Sequence, residues 1–135
     1  MSSTPESLVH VALQDGVFHI ELNRPEVGNA ANALMATQLQ DAVKRASDTA
    51  GVRVVLISAA GRAFMAGGDL NALRGGRAAL KALVDTVNQT MLLLAQLDVP
   101  VVCAVQGMAA GGGLGLALAG DVLIAEEGAR FTVGS

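Results

Sequence analysis

Three observations predict an α/β fold with a largely parallel sheet. The chain opens on an alternating hairpin, three later β-branched runs are separated by helical stretches, and glycine clusters follow two of those runs. Strands joined through helices pair in parallel with right-handed crossovers, and ligands on such sheets gather beyond the carboxyl ends of the strands. Both glycine clusters fall at such ends.

The elements follow in order. Val9, Val11 and Leu13 alternate with other residues, Asp15-Gly16 makes a tight turn, and Phe18, Ile20 and Leu22 alternate again, which predicts a β-hairpin. Residues 23–32 read as a polar loop with Pro25 and Gly28. Met35, Leu39, Ala42, Val43 and Ala46 then recur at helical spacing, with Asn32 placed to cap the helix and Gly51 to end it. Val54 to Ile57 is a short buried strand. Arg74 to Arg77 reads as a mobile loop. From Ala78 onward, Leu80, Leu83, Val84, Val87, Met91 and Leu94 form an apolar helix face that Leu92 and Leu93 widen, which predicts burial on more than one side. Val101 to Val105 is a second buried strand, Gly113 to Ala119 a short helix, and Val122 to Ala125 a third strand.

Composition narrows the function. The chain has 135 residues, enough for one domain with a real core, and its 52% hydrophobic content supplies the material. A net charge of −3 with only 2% aromatics offers neither the basic footprint nor the stacking platform of a nucleic-acid binder. The single cysteine, Cys103, lies inside an apolar strand run and reads as a buried structural thiol, consistent with a reducing cytosol. The N-terminus shows no signal-peptide pattern. The uncharged stretch from Val99 to Gly120 is long enough to span a bilayer, yet Pro100, Gln106, the glycine run and the acidic flanks favour a strand, a turn and a short helix. Two histidines, His10 and His19, sit on the hairpin as half-exposed strand residues, and the sequence offers no metal constellation.

The two glycine clusters carry the chemistry. They are Gly61-Arg62-Ala63-Phe64-Met65-Ala66-Gly67-Gly68-Asp69-Leu70 and the stretch from Gly107 to Gly115. Glycine after a strand lets backbone approach a ligand and leaves N–H groups free to meet it. Two such junctions in one small domain suggest a pair of N–H donors converging on one oxygen, the construction of an oxyanion hole.

At these residues the chain resembles the crotonase superfamily of enoyl-CoA hydratases and isomerases. The resemblance rests on Leu22-Asn23-Arg24-Pro25-Glu26, Ala66-Gly67-Gly68-Asp69-Leu70, the run from Val105 to Leu114, and Asp121-Val122-Leu123-Ile124-Ala125, in the family's order. It implies a crotonase-like spiral of ββα units. Because family members are roughly twice as long, it also implies that residues 1–135 are the N-terminal part of the core, truncated before the C-terminal helical trimerisation part. By motif position the oxyanion donors are the backbone N–H groups of Gly68 and Gly112. Ala66, Gly67, Asp69 and Leu70, with Arg24, Asn29 and Ala30 of the earlier loop, are implied to lie near coenzyme A. Coenzyme A is then part of the substrate, with no permanently bound cofactor. The resemblance also implies cytoplasmic fatty-acid chemistry by a homo-oligomer, a trimer or hexamer, with no membrane and no nucleic-acid partner. Gly112 as a plain turn residue and Asp69 as a helix cap remain open readings.

The departures from the family matter as much. Hydratases of this kind place glutamates three residues beyond the second oxyanion glycine and after the following strand; this chain has Gly115 and Ser135 there. Neither side chain can act as a carboxylate. Isomerase-type relatives keep glycine at the first place and use one acid further downstream, so the isomerase type is favoured. A non-catalytic acyl-CoA-binding protein or incomplete crotonase-like protein is the alternative. A dinucleotide-binding unit is remote, because Gly107, Ala109 and Gly112 meet its spacing only with a substitution.

Overall fold

The structure, a computed structural model, describes residues 6–67 and 74–133. Strands β1 (Val9–Gln14) and β2 (Val17–Leu22) form the expected antiparallel hairpin, with Val9 opposite Leu22 and Gln14 opposite Val17. Asp15 and Gly16, both at positive φ, make its turn. A 3-10 turn, Pro25–Val27, then leads to helix α1 (Ala33–Asp48), whose Asn32 side chain accepts a hydrogen bond from the Met35 N–H at 2.8 Å. This is the predicted cap. The helix stops at Asp48, before Gly51, because Thr49 already takes an extended conformation.

Strand β3 (Val54–Ala59) lies parallel to β2, β4 (Val101–Val105) parallel to β3, and β6 (Val122–Ala125) parallel to β4, giving the order β1-β2-β3-β4-β6. The parallel pairing follows from the helices between the strands, α2 (Gly76–Ala95) before β4 and α3 (Gly112–Leu118) before β6. Two short strands unforeseen in the sequence, β5 (Met108–Ala110) and β7 (Arg130–Thr132), pair in parallel as a separate small sheet.

One face of the large sheet builds the core. Phe18, Ile20 and Leu22 of β2, Val55 and Ile57 of β3, and Val101, Cys103 and Val105 of β4 alternate inward and meet Met35, Leu39, Val43 and Ala46 of α1. The period of two on the strands and of about 3.6 on the helix bring these side chains into one layer.

Helix α2 departs from its prediction. Along its length only Leu83, Thr90 and Leu94 are buried, while Leu80, Val84 and Leu92 are exposed. It packs chiefly on α1, which covers one side of an apolar stripe wider than a single neighbour can bury. Where the sequence predicts a loop at Arg74 to Arg77, Arg74 and Gly75 form a 3-10 turn and α2 starts at Gly76, whose φ of 85° separates the two. Strand β6 exposes Val122, Leu123 and Ile124, and Phe131 of β7 is exposed as well. Among the described residues no helix is long and apolar enough to cross a membrane.

Candidate functional site

The two glycine clusters meet. Backbone of the first runs beside β5: Phe64 N–H donates to the Gln106 carbonyl at 2.9 Å, Met65 N–H to Met108 at 3.1 Å, and Ala110 N–H to Met65 at 2.9 Å. Close approach is possible because Gly107 and Gly113 lack side chains: a Cβ at 107 would run into the Arg62 carbonyl oxygen, and one at 113 into that of Met65. Glycine is therefore required at both places by the neighbouring chain, and at Gly107 also by its φ of 60°. Further along, a Cβ on Gly111 would stand 4.0 Å from the Cα of Gly67. The junctions after β3 and β4 are thus adjacent in space.

A third segment clamps this pair. Asn29, fully buried at φ 58°, accepts from the Arg24 N–H at 2.7 Å and donates to the carbonyls of Ala60 at 2.8 Å and Ala63 at 2.9 Å. Ala66 N–H donates to Gly28 at 2.9 Å, and Ala31 N–H to Gly67 at 3.3 Å. The Arg24 guanidinium reaches the Ala30 carbonyl at 2.7 Å. The loop after β2 and the loop after β3 are held as one unit, since every polar atom of the Asn29 side chain is spent on backbone.

The residues expected at the site are therefore distributed as follows. Gly67 and Gly112 both line a cavity of about 320 Å³ between α1, α2 and α3. Gly112 is exposed, a Cβ there would meet nothing within 4 Å, and no acceptor among the described residues takes its N–H. Ala66 is exposed beside Gly67, and Ala30 is buried against the clamp. The side chain of Asn29 braces the loops and is not available to a ligand. Gly68, Asp69 and Leu70 lie outside the described residues, as does Ser135.

Other residues at the site were unforeseen or read as core. Met35, Leu39, Leu83 and Met91 line the cavity although their spacing marked only core faces. Helical periodicity reports that a face is apolar, not whether protein or ligand fills the space opposite. A second, open groove is lined by Pro25, Glu26, Gly28, Gly61, Arg62 and Ala63 of the two clamped loops.

The histidines stand apart on the hairpin. His19 Nε2 lies 2.6 Å from Ser58 Oγ, and His10 Nδ1 3.5 Å from a Glu21 carboxylate oxygen. Cys103 is buried under α3, and burial pushes its thiol up to about 11, against the opposing pull of a Gly120 backbone hydrogen bond. That thiol is inert structure. Among the described residues no cluster of ligating side chains could hold a metal ion.

The profile of the family described as Enoyl-CoA hydratase/isomerase matches residues 12–134. The chain belongs to this family. Over 131 residues it is 40% identical to 1,2-epoxyphenylacetyl-CoA isomerase of Escherichia coli K12, covering 93% of this chain and 49% of that protein. It is 37% identical to 2,3-dehydroadipyl-CoA hydratase of the same organism over 121 residues, 90% of this chain and 47% of that one. The crystal structure of an enoyl-CoA hydratase from Bacillus anthracis superposes with a TM-score of 0.87 at 34% identity, covering 93% of this chain and 50% of that one. The chain thus spans about half the length of the family members it matches. The fold is the crotonase fold of the enoyl-CoA hydratase/isomerase family, seen over that half.

Proposed function

We propose that the chain binds an acyl-CoA thioester with its carbonyl oxygen between the backbone N–H groups of Gly68 and Gly112, and that the reaction is of the isomerase type. The observation that carries this reading is the adjacency of the two glycine junctions at an apolar cavity, with Gly67 and Gly112 both on its wall. When a base removes the proton α to the thioester carbonyl, the C–H electron pair forms the new carbon–carbon double bond and the carbonyl pair moves onto oxygen. Two aimed N–H donors stabilise that oxyanion without reorganisation, an effect worth several kcal/mol, about 3 for a single donor. Return of the proton two carbons further along shifts the double bond.

The described lining contains no carboxylate, and Gly115 occupies the helix position where a hydratase glutamate would stand. Proton transfer is then the work of an acid outside these residues, which favours isomerisation over hydration. The groove along Pro25, Glu26, Gly28, Gly61, Arg62 and Ala63 suits the nucleotide end of coenzyme A, and Arg24, Asn29 and Ala30 belong to the loop that carries Pro25 to Gly28. Ala66, Gly67, Asp69 and Leu70 would carry the pantetheine toward the cavity. A homo-oligomer, trimeric or hexameric, acting in the cytoplasm belongs to the same reading.

The test is Gly112→Pro in a chain extended to the length of its relatives. It deletes one N–H donor and should lower turnover about 100-fold or more, with folding checked by circular dichroism. Activity within a few-fold of the parent would remove Gly112 from the role.

A further inference from the structure

The cavity beside Gly67 and Gly112 is lined almost wholly by apolar side chains among the described residues. Its described lining comes from Ala31 just ahead of α1, from α1, α2 and α3, and from the first glycine loop, and Asn88 is its one polar side chain. No charged side chain lines it among the described residues, and three methionines, Met35, Met65 and Met91, face it from three different segments. Met35 and Met65 are buried, and Met91 is half-buried against the core.

From this lining we infer that the site takes a neutral, apolar acyl group and rejects one that ends in a carboxylate. The inference deepens the proposed thioester site and rests on it. An aliphatic chain gains roughly fourfold in affinity for each methylene taken out of water. A terminal carboxylate in the same place loses its hydration and finds no cation to pair with among the described residues, a loss that outweighs the methylenes. Methionine adds tolerance of shape, because its unbranched thioether adapts to irregular neighbours. The lining therefore discriminates on charge more sharply than on outline.

The matched probes are hexanoyl-CoA and adipoyl-CoA, which share a six-carbon acyl chain and differ in the terminal group, with acetyl-CoA and free coenzyme A as references. Binding to the 135-residue chain is measured by calorimetry. Hexanoyl-CoA should bind at least tenfold more tightly than both acetyl-CoA and adipoyl-CoA. Val84 lines the cavity and is 47% exposed, so Val84→Arg adds a cation at its edge at little cost to the fold; it should raise adipoyl-CoA affinity at least tenfold and weaken hexanoyl-CoA. Adipoyl-CoA binding within threefold of hexanoyl-CoA, or equal binding of all three thioesters, would overturn the selectivity while leaving the thioester site standing. Absence of binding by every thioester would overturn the thioester site itself, and the selectivity with it.

Discussion

Gly113 is pressed against Met65: a Cβ at position 113 would stand 2.7 Å from the Met65 Cβ as well as meeting its carbonyl oxygen. Two residues on, the same short helix carries a glycine in the opposite situation, since a Cβ at Gly115 would find only the Met91 Cε, at 3.6 Å. Alanine should therefore act with opposite sign at the two positions. Gly113→Ala should destabilise by about 1–3 kcal/mol through overpacking against backbone. Gly115→Ala should stabilise by about 0.5–1 kcal/mol, because it removes the entropic cost of a helical glycine. Urea unfolding of the two variants checks this, and shifts of the same sign would contradict it.

Asn29 ties three backbone groups together from a fully buried position. Asn29→Ala leaves the Arg24 N–H and the Ala60 and Ala63 carbonyls without their partner, and should cost about 2–4 kcal/mol. Amide hydrogen exchange should quicken at Ala66 and Ala31, whose N–H bonds join the same two loops. A loss below about 0.5 kcal/mol would show that the brace is dispensable.

The Cys103 thiol titrates at about 11 against an ordinary 9.0, chiefly through burial. A raised folded-state value means that the folded protein holds its proton while the unfolded chain loses it. The stabilising contribution is complete below pH 9 and falls away between about pH 9 and 11, at a slope of about 1.4 kcal/mol per pH unit. Cys103→Ala should flatten that part of the stability curve. At pH 8 the native thiol should resist an aromatic disulfide reagent and react at the rate of unfolding.

Gly115 and Ser135 leave the sequence without either hydratase carboxylate. The 135-residue chain should therefore give negligible hydration of crotonyl-CoA, followed by loss of the conjugated thioester absorbance. Extended to family length, it should act best on a 3-enoyl-CoA, seen as gain of that absorbance. Robust hydration by the 135-residue chain would contradict the assignment.

Val122, Leu123 and Ile124 on β6 and Phe131 on β7 present apolar side chains to solvent. In isolation the 135-residue chain should self-associate through such surface, with an average mass in sedimentation that rises with concentration. A monodisperse monomer of high thermal stability would count against this.

Local pattern by itself determined the hairpin, the capped α1, strands β3, β4 and β6 and the parallel sheet, because each has a period long enough to identify and a turn or cap to bound it. Motif order was sufficient to point to the family, and the glycine clusters marked where backbone would come close. Tertiary structure alone decided what each glycine is for: Gly107 and Gly113 make room for the carbonyls of Arg62 and Met65, residues more than forty positions away. It also spends the Asn29 side chain on an internal brace, since its partners at Ala60 and Ala63 lie on another loop. Strands β5 and β7, three residues each, are too short to show a period and exist through pairing with one another. The apolar stripe of α2 gave no sign of which side α1 would cover and which would face a cavity, because hydrophobic spacing records the demand for burial and only the packed neighbours determine how it is met.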